Sequence, residues 1–201
     1  MNLSQNKIST CADFRGHAEL GTLLMAENAL TNCAGLANMP QLLVLNLNSN
    51  QLTSLTDLRG LDCLKKLDVG KNKLADLKNF PELPALEVFD AGENLIEAEG
   101  LEALACLKNC RSLTTILMAG NPWVDEKGDE FKKEVLICLE KLPIKQINEQ
   151  DEVTQEDRDE AKAEKQAREL ARIEAEEEAK RAAEEAAAAA KENPEAEAEA
   201  E

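Results

Sequence analysis

The residues of this 201-residue chain with the most chemistry to offer are six cysteines and one histidine. Cys106 and Cys110 stand at i, i+4, a spacing at which two thiolates on one helix face can share a metal ion. A closed structural site needs four ligands, and no further Cys or His stands near the pair, so packing and surface positions are expected for both. No Cys is paired with a plausible catalytic His. The phosphate-cradling G-x-x-x-x-G-K-S/T, the G-x-S-x-G nucleophile turn and the H-E-x-x-H zinc motif do not occur. Paired carboxylates abound, but in solvated runs where neither member has a reason for a shifted pKa. The expectation is a protein without catalysis, metal, cofactor or small-molecule substrate, whose function lies in its surfaces.

Composition narrows the partners. The formal net charge is −17. Residues 151–201 hold 19 acids and 8 bases, net −11, so the tail is a separate physical object. No basic stripe exists to displace counterions from DNA or RNA, which argues against nucleic acid. No apolar run approaches the roughly 20 residues that span a bilayer, so no membrane insertion is expected. The opening residues, MNLSQNKIST, are polar and do not read as a signal peptide. Cys11, Cys33, Cys63, Cys106, Cys110 and Cys138 are therefore expected to be reduced thiols in a cytoplasmic compartment. Four Phe, one Trp and no Tyr leave any core to aliphatic side chains.

The elements that must position these surfaces are repeats. Asn6, Asn28, Asn50, Asn72, Asn94 and Asn121 are spaced 22, 22, 22, 22 and 27 apart. Around each the apolar residues recur as L-x-x-L-x-L-x-x-N-x-L: Leu42, Leu45, Leu47, Asn50, Leu52 in one unit and Leu64, Leu67, Val69, Asn72, Leu74 in the next. The L-x-L part alternates with period two, predicting a short strand with its leucines buried, and the Asn side chain can bond backbone groups of the following turn. Beyond the Asn, apolar residues recur at every third position, as in Leu52, Leu55, Leu58 and Leu61, which suits 3₁₀-like or loose turns. Cys11 and Cys33 take the place of Leu55 and Leu77 and read as core fillers. His17 falls where Leu61 sits in a later unit and reads as a turn residue.

This pattern resembles the 22-residue class of leucine-rich repeats. The resemblance implies an α/β solenoid: a right-handed curved array with a parallel concave sheet, a helical C-terminal cap and, here, a long C-terminal helix. About six units fill residues 1–122, and the first begins at its own strand with Met1 and Leu3, without an N-terminal cap. The 27-residue spacing before Asn121 leaves room for a helix carrying Leu101, Leu104 and Leu107. Residues 123–150 form the cap, with one helix expected from about Asp125 to Lys141 bearing Phe131, Val135, Cys138, Leu139 and Leu142. Trp123 is assigned to the same lid, and Ile144 and Ile147 mimic a last Leu-x-x-Leu. Residues 151–201 read as a charged Ala/Glu-rich tail. It starts at the N-cap Thr154 with Asp157 three residues on, and runs helical to about Lys191 with Glu164 and Arg168 in register. From 155 to 190 such a helix would reach roughly 50 Å at 1.5 Å per residue. No heptad seam is present, only Leu170 and Ile173, and the end past Pro194 is expected to be disordered.

On the strand face the outward positions form columns. Thr22, Val44, Lys66, Val88 and Thr115 make one; Leu24, Asn46, Asp68, Asp90 and Leu117 a second, begun by Asn2; Asn48, Gly70 and Gly92 lie in a third of small residues. The columns predict a shallow trough across which a partner helix or extended segment can lie. Small polar residues can also simply tolerate solvent. Leu24 and Leu117, expected to be exposed, favour binding.

From Phe89 to Lys162 the order of features is similar to that of a leucine-rich radial spoke protein of cilia. Gly100-Leu101-Glu102, Asn121-Pro122, Asp125-Glu126 and Asp157-Arg158-Asp159-Glu160-Ala161 carry the similarity. Phe131-Lys132 stands where that cap usually has Tyr-Arg, and Ile147-Asn148 where it ends in Leu-Asp. The resemblance implies a scaffold of the ciliary or flagellar axoneme, with axonemal subunits as partners. A phosphatase-regulating subunit or an acidic nuclear leucine-rich regulator is the alternative, although eight bases in the tail disfavour the latter.

Overall fold

The computed structural model describes residues 1–14, 17–78, 80–97, 104–149 and 151–192, with side chains described as far as residue 183. Five three-residue strands come from the L-x-L segments: β1 Thr22–Leu24, β2 Val44–Asn46, β3 Lys66–Asp68, β4 Val88–Asp90 and β5 Thr115–Leu117. Each central residue points inward, so Leu23, Leu45, Leu67, Phe89 and Ile116 are fully buried. The strands pair in sequence order, parallel and without slippage: Thr22 opposes Val44, which opposes Lys66, then Val88, then Thr115. Asn2 adds an isolated parallel bridge to Leu24. β6, Gln146–Ile147, continues the parallel order, and β7, Asp151–Glu152, closes the sheet antiparallel to it.

The asparagines explain why the register does not slip. Asn72 donates from Nδ2 to the carbonyls of Val69 and Gly70 in its own unit and of Leu47 in the preceding one, while Oδ1 accepts the Leu52 N–H at 2.9 Å. Asn50 and Asn94 repeat the arrangement one layer either side. A backbone lacking ladder partners at the strand end is thereby satisfied by a side chain from the next layer, as a buried polar group requires. The residue before each Asn lies in the left-handed region: Gln5, Glu27, Ser49, Lys71 and Glu93 all have φ between 50° and 59°, and Gly120 takes that place in the last unit. The three-residue spacing beyond the Asn becomes pairs of single turns, such as Leu58 N–H to Leu55 O and Leu64 N–H to Leu61 O. Cys33 is fully buried among the layers, as the leucines at its position are.

Within the long spacing, Cys106–Asn109 is a 3₁₀ helix that buries Leu107, with Leu104 buried just before it. Leu101 and the Gly100-Leu101-Glu102 segment lie outside the described residues, as does the expected disordered end past Pro194.

The cap differs from the single helix expected. It is two: α1, Pro122–Lys127, with Pro in its first turn, and α2, Glu130–Cys138. Gly128 separates them at φ 52°, a conformation that glycine adopts at little cost, and its N–H closes α1 on the Val124 carbonyl at 2.9 Å. Trp123, Phe131, Val135, Leu139, Ile144 and Ile147 are all buried. The Trp123 and Phe131 rings meet edge to face at 5.1 Å.

α3 spans Gln155–Glu192. Its start is a reciprocal cap: the Asp157 N–H bonds Thr154 Oγ1 at 3.2 Å, and Asp157 Oδ2 accepts the Thr154 N–H at 2.7 Å. The tail was expected to separate at residue 151. The chain instead divides into compact units at Ala161, giving Met1–Ala161 and Lys162–Glu201, because Asp151–Glu152 joins the sheet and Ala161 is buried. In the second unit the helix is held by its own surface pairs, Glu164 with Arg168 at 2.9 Å and Glu169 with Arg172 at 2.8 Å, each worth a few tenths of a kcal/mol. Leu170 and Ile173 are 61% and 42% exposed there. No described helix is long and apolar enough to cross a membrane.

Candidate protein-binding trough

Strand register turns the outward residues into the columns anticipated from the repeats. Thr22, Val44, Lys66, Val88 and Thr115 are direct neighbours, as are Leu24, Asn46, Asp68, Asp90 and Leu117. Thr22 and Lys66 are exposed and the remaining members of these columns are half-buried. Leu24 and Leu117 therefore differ from expectation, since short strands let adjacent columns cover part of each side chain. Among the described residues of the first unit, the exposed large apolar ones are Met1, Leu43 and Leu95, none of them in the two columns.

The third column is narrower than a stripe of small residues suggests. Asn48 reaches sideways, donating from Nδ2 to Asp68 Oδ1 at 3.1 Å, and covers Gly70. A β-carbon at Gly70 would stand 2.7 Å from that amide, and one at Gly92 would stand 3.2 Å from the Ala119 carbonyl. Asn46 completes the network by donating to Asp68 Oδ2 at 3.0 Å. Beside it a cavity of about 440 Å³ opens, lined in part by Asp90, Gly92, Leu117, Asn148 and Glu149. Burial pushes the Asp90 carboxyl above the usual carboxylate range, helped by the charges of Asp68 and Glu149 and opposed by the Gly92 N–H and by Lys66.

Residues 40–82 match a family model described as leucine rich repeats in two copies. Residues 40–82 carry leucine-rich repeats. No curated protein matches it. Among solved structures, an internalin (inlF) from Listeria monocytogenes is 24% identical over 66% of this chain and 36% of its own, with a TM-score of 0.49. A leucine-rich-repeat protein of Leptospira interrogans is 24% identical over 65% of this chain and 31% of its own, with a TM-score of 0.44. The chain thus spans about a third of the length of each.

Burial raises Cys33 to about 12 and Cys106 and Cys110 to about 11, so all three are protonated at neutral pH. All six cysteines are unbridged. His17 is exposed, its ring 4.7 Å from that of Phe14. Among the described residues no group of three His, Cys, Asp or Glu is placed to hold a metal ion.

Two features of the repeats were not anticipated. Asn148, singled out only as a departure from Leu-Asp, accepts the Met118 N–H on Oδ1 at 2.9 Å and so satisfies the last strand where a full repeat would offer a carbonyl. The other is the inequality of Asp68 and Asp90. They occupy the same column, but only Asp68 has Asn neighbours to bond it. The signal was present in the columns, where Asn46 stands on one side of the acidic pair and Leu117 on the other.

Proposed function

We propose that the chain is a non-catalytic scaffold that binds proteins through the strand face of its repeats. Leucine-rich-repeat domains generally bind proteins. The observation that carries the reading is the unbroken register of outward residues from Thr22 to Leu117, which gives a partner one continuous surface with Val44 and Val88 at its centre. In this reading the cap residues Trp123, Phe131, Val135 and Leu139 seal the array, and α3 is a second element for assembly.

The assembly proposed is the ciliary or flagellar axoneme, as a radial spoke or an associated complex, with axonemal subunits as partners and a cytoplasmic, cytoskeletal location. The order of the lengthened repeat, the Asn121-Pro122 start of the cap and the acidic start of α3 supports it. Val44→Arg with Val88→Arg places two charges on the outward face without touching the buried residues. The double variant should melt like the parent and lose its partners when purified from ciliated cells. A chain that localises away from axonemes removes the axonemal reading, and a double variant that keeps every partner removes the strand face.

A further inference from the structure

The helix α3 has a root and a shaft that are held by different contacts. Lys132 of α2 grips the root, pairing with Asp157 at 2.8 Å while donating to the Glu152 carbonyl at 2.8 Å. The Arg158 guanidinium donates to the Ile144 carbonyl, and Lys133 stands 4.0 Å from Glu160. Just before the helix the Val153 N–H bonds the Lys145 carbonyl at 2.8 Å and its side chain packs against the core. Ala161 is buried. Beyond it every described residue as far as Ala183 is exposed except Glu164, which is half-buried. The shaft carries ion pairs along its own surface, such as Arg172 with Glu176 at 3.6 Å.

A helix that buries no face of its own has to be started. Its first turn orders several residues for one hydrogen bond, a penalty of about a thousandfold, whereas each later residue brings a bond with it. We infer that the cap is the nucleus of the tail: by holding residues 155–161 in helical form it removes that penalty, and the helix propagates outward from Ala161. Asp157, Arg158 and Ala161 stand at i, i+1 and i+4, so the grip holds one side of two successive turns. The sequence beyond suits propagation. Ala, Glu, Lys, Arg and Gln are strong helix formers, and neither Gly nor Pro occurs from Gln155 to Asn193. A partner of the tail then meets a helix already formed and is spared the cost of ordering it. By reciprocity its binding tightens the cap. This coupling does not depend on what the strand face binds.

Cα chemical shifts along α3 of the full chain test this in two variants. Lys165→Gly with Gln166→Pro cuts the shaft from the root: the proline removes one helical bond and meets the carbonyl four residues earlier, at Lys162, outside the clamp. Shifts should stay helical through Ala161 and lose about half or more of their helical component from Leu170 to Arg181, because the severed length must nucleate alone. Lys132→Met with Arg158→Met takes both cations from the clamp and keeps long side chains of high helix propensity. The same loss should run from Leu170 to Arg181 while the repeats still melt cooperatively. Coil shifts there in the parent chain, or helical shifts that persist in either variant, overturn the inference, since the tail then either does not form or starts itself. Should the clamp variant unfold the cap as well, the cut chain decides alone, its cap being untouched.

Discussion

The two ends of the repeat array are built from the same layers and finished differently. In the first layer Leu3, Ile8 and Phe14 are only half-buried and Met1 is 53% exposed. Asn6 bonds the Leu3 and Ser4 carbonyls of its own unit. At the other end Trp123, Phe131, Val135, Leu139, Ile144 and Ile147 are buried, and Asn121 reaches back to Ala91 and to the Ile96 N–H. In a solenoid stability is the sum of layers and of the interfaces between neighbours, so identical residues should weigh more where both neighbours are present. The two ends make that a measurable statement.

The largest expected effect is in the cap. Phe131→Ala removes a ring packed against Trp123 and should lower unfolding stability by about 3–5 kcal/mol, as large-to-small changes of buried aromatics do. Phe14→Ala, in the half-buried first layer, should cost well under half as much. Denaturant midpoints at constant slope measure both. Equal losses would mean that the first layer is as tightly held as the cap, and the comparison would fail.

A smaller effect sharpens the same contrast along the asparagine ladder. Asn72→Ala strands the buried Leu52 N–H and takes one donor from each of the Leu47 and Val69 carbonyls, while the Gly70 carbonyl keeps the Ser49 N–H, and at about 1–3 kcal/mol for an unsatisfied buried group the cost should approach about 3 kcal/mol. Asn6→Ala loses two exposed bonds and should cost less than about 0.5 kcal/mol, like other surface changes. An Asn6 variant as damaging as Asn72 would show that the first turn nucleates the array.

The ladder was also the most legible part of the chain, because one residue type at one spacing encodes strand, turn and register together. The buried cap residues and the Thr154–Asp157 start of α3 were legible for a related reason: each is a local pattern with a local partner. What escaped depends on neighbours remote in sequence. Asp68 and Asp90 look alike in their own repeats and differ only through Asn46, Asn48 and Leu117 in adjacent ones. The break between α1 and α2 turned on the backbone of Gly128, which helical periodicity does not report. The half-burial of Leu24 and Leu117 follows from the closeness of adjacent columns, a property of the sheet and not of either strand.

The smallest effect separates two carboxylates of the same unit by the sign of their pH response. Asp157 is held well below the usual carboxylate range, to about 2, first by its bond to Lys132 and then by the Thr154 backbone and hydroxyl, against a partial loss of hydration. The Lys132 ion pair is 2.8 Å long, and the same ammonium donates to the Glu152 carbonyl. Because the folded pKa lies below the ordinary 3.8, the stabilisation from Asp157 is complete above about pH 4 and is lost as pH falls through about 2. Asp90 is shifted the opposite way, so its protonation comes earlier in an acid titration and relieves a buried charge instead of removing an ion pair. The protection factors of the Thr154 and Asp157 amides should therefore fall between pH 4 and 2 while that of Gly92 holds. In Asp157→Asn the Thr154 amide should exchange faster at neutral pH and lose its acid dependence. If the wild-type Thr154 amide exchanges at a constant protection factor over that window, Lys132 and Asp157 do not hold the start of α3, and the cap ends at β7.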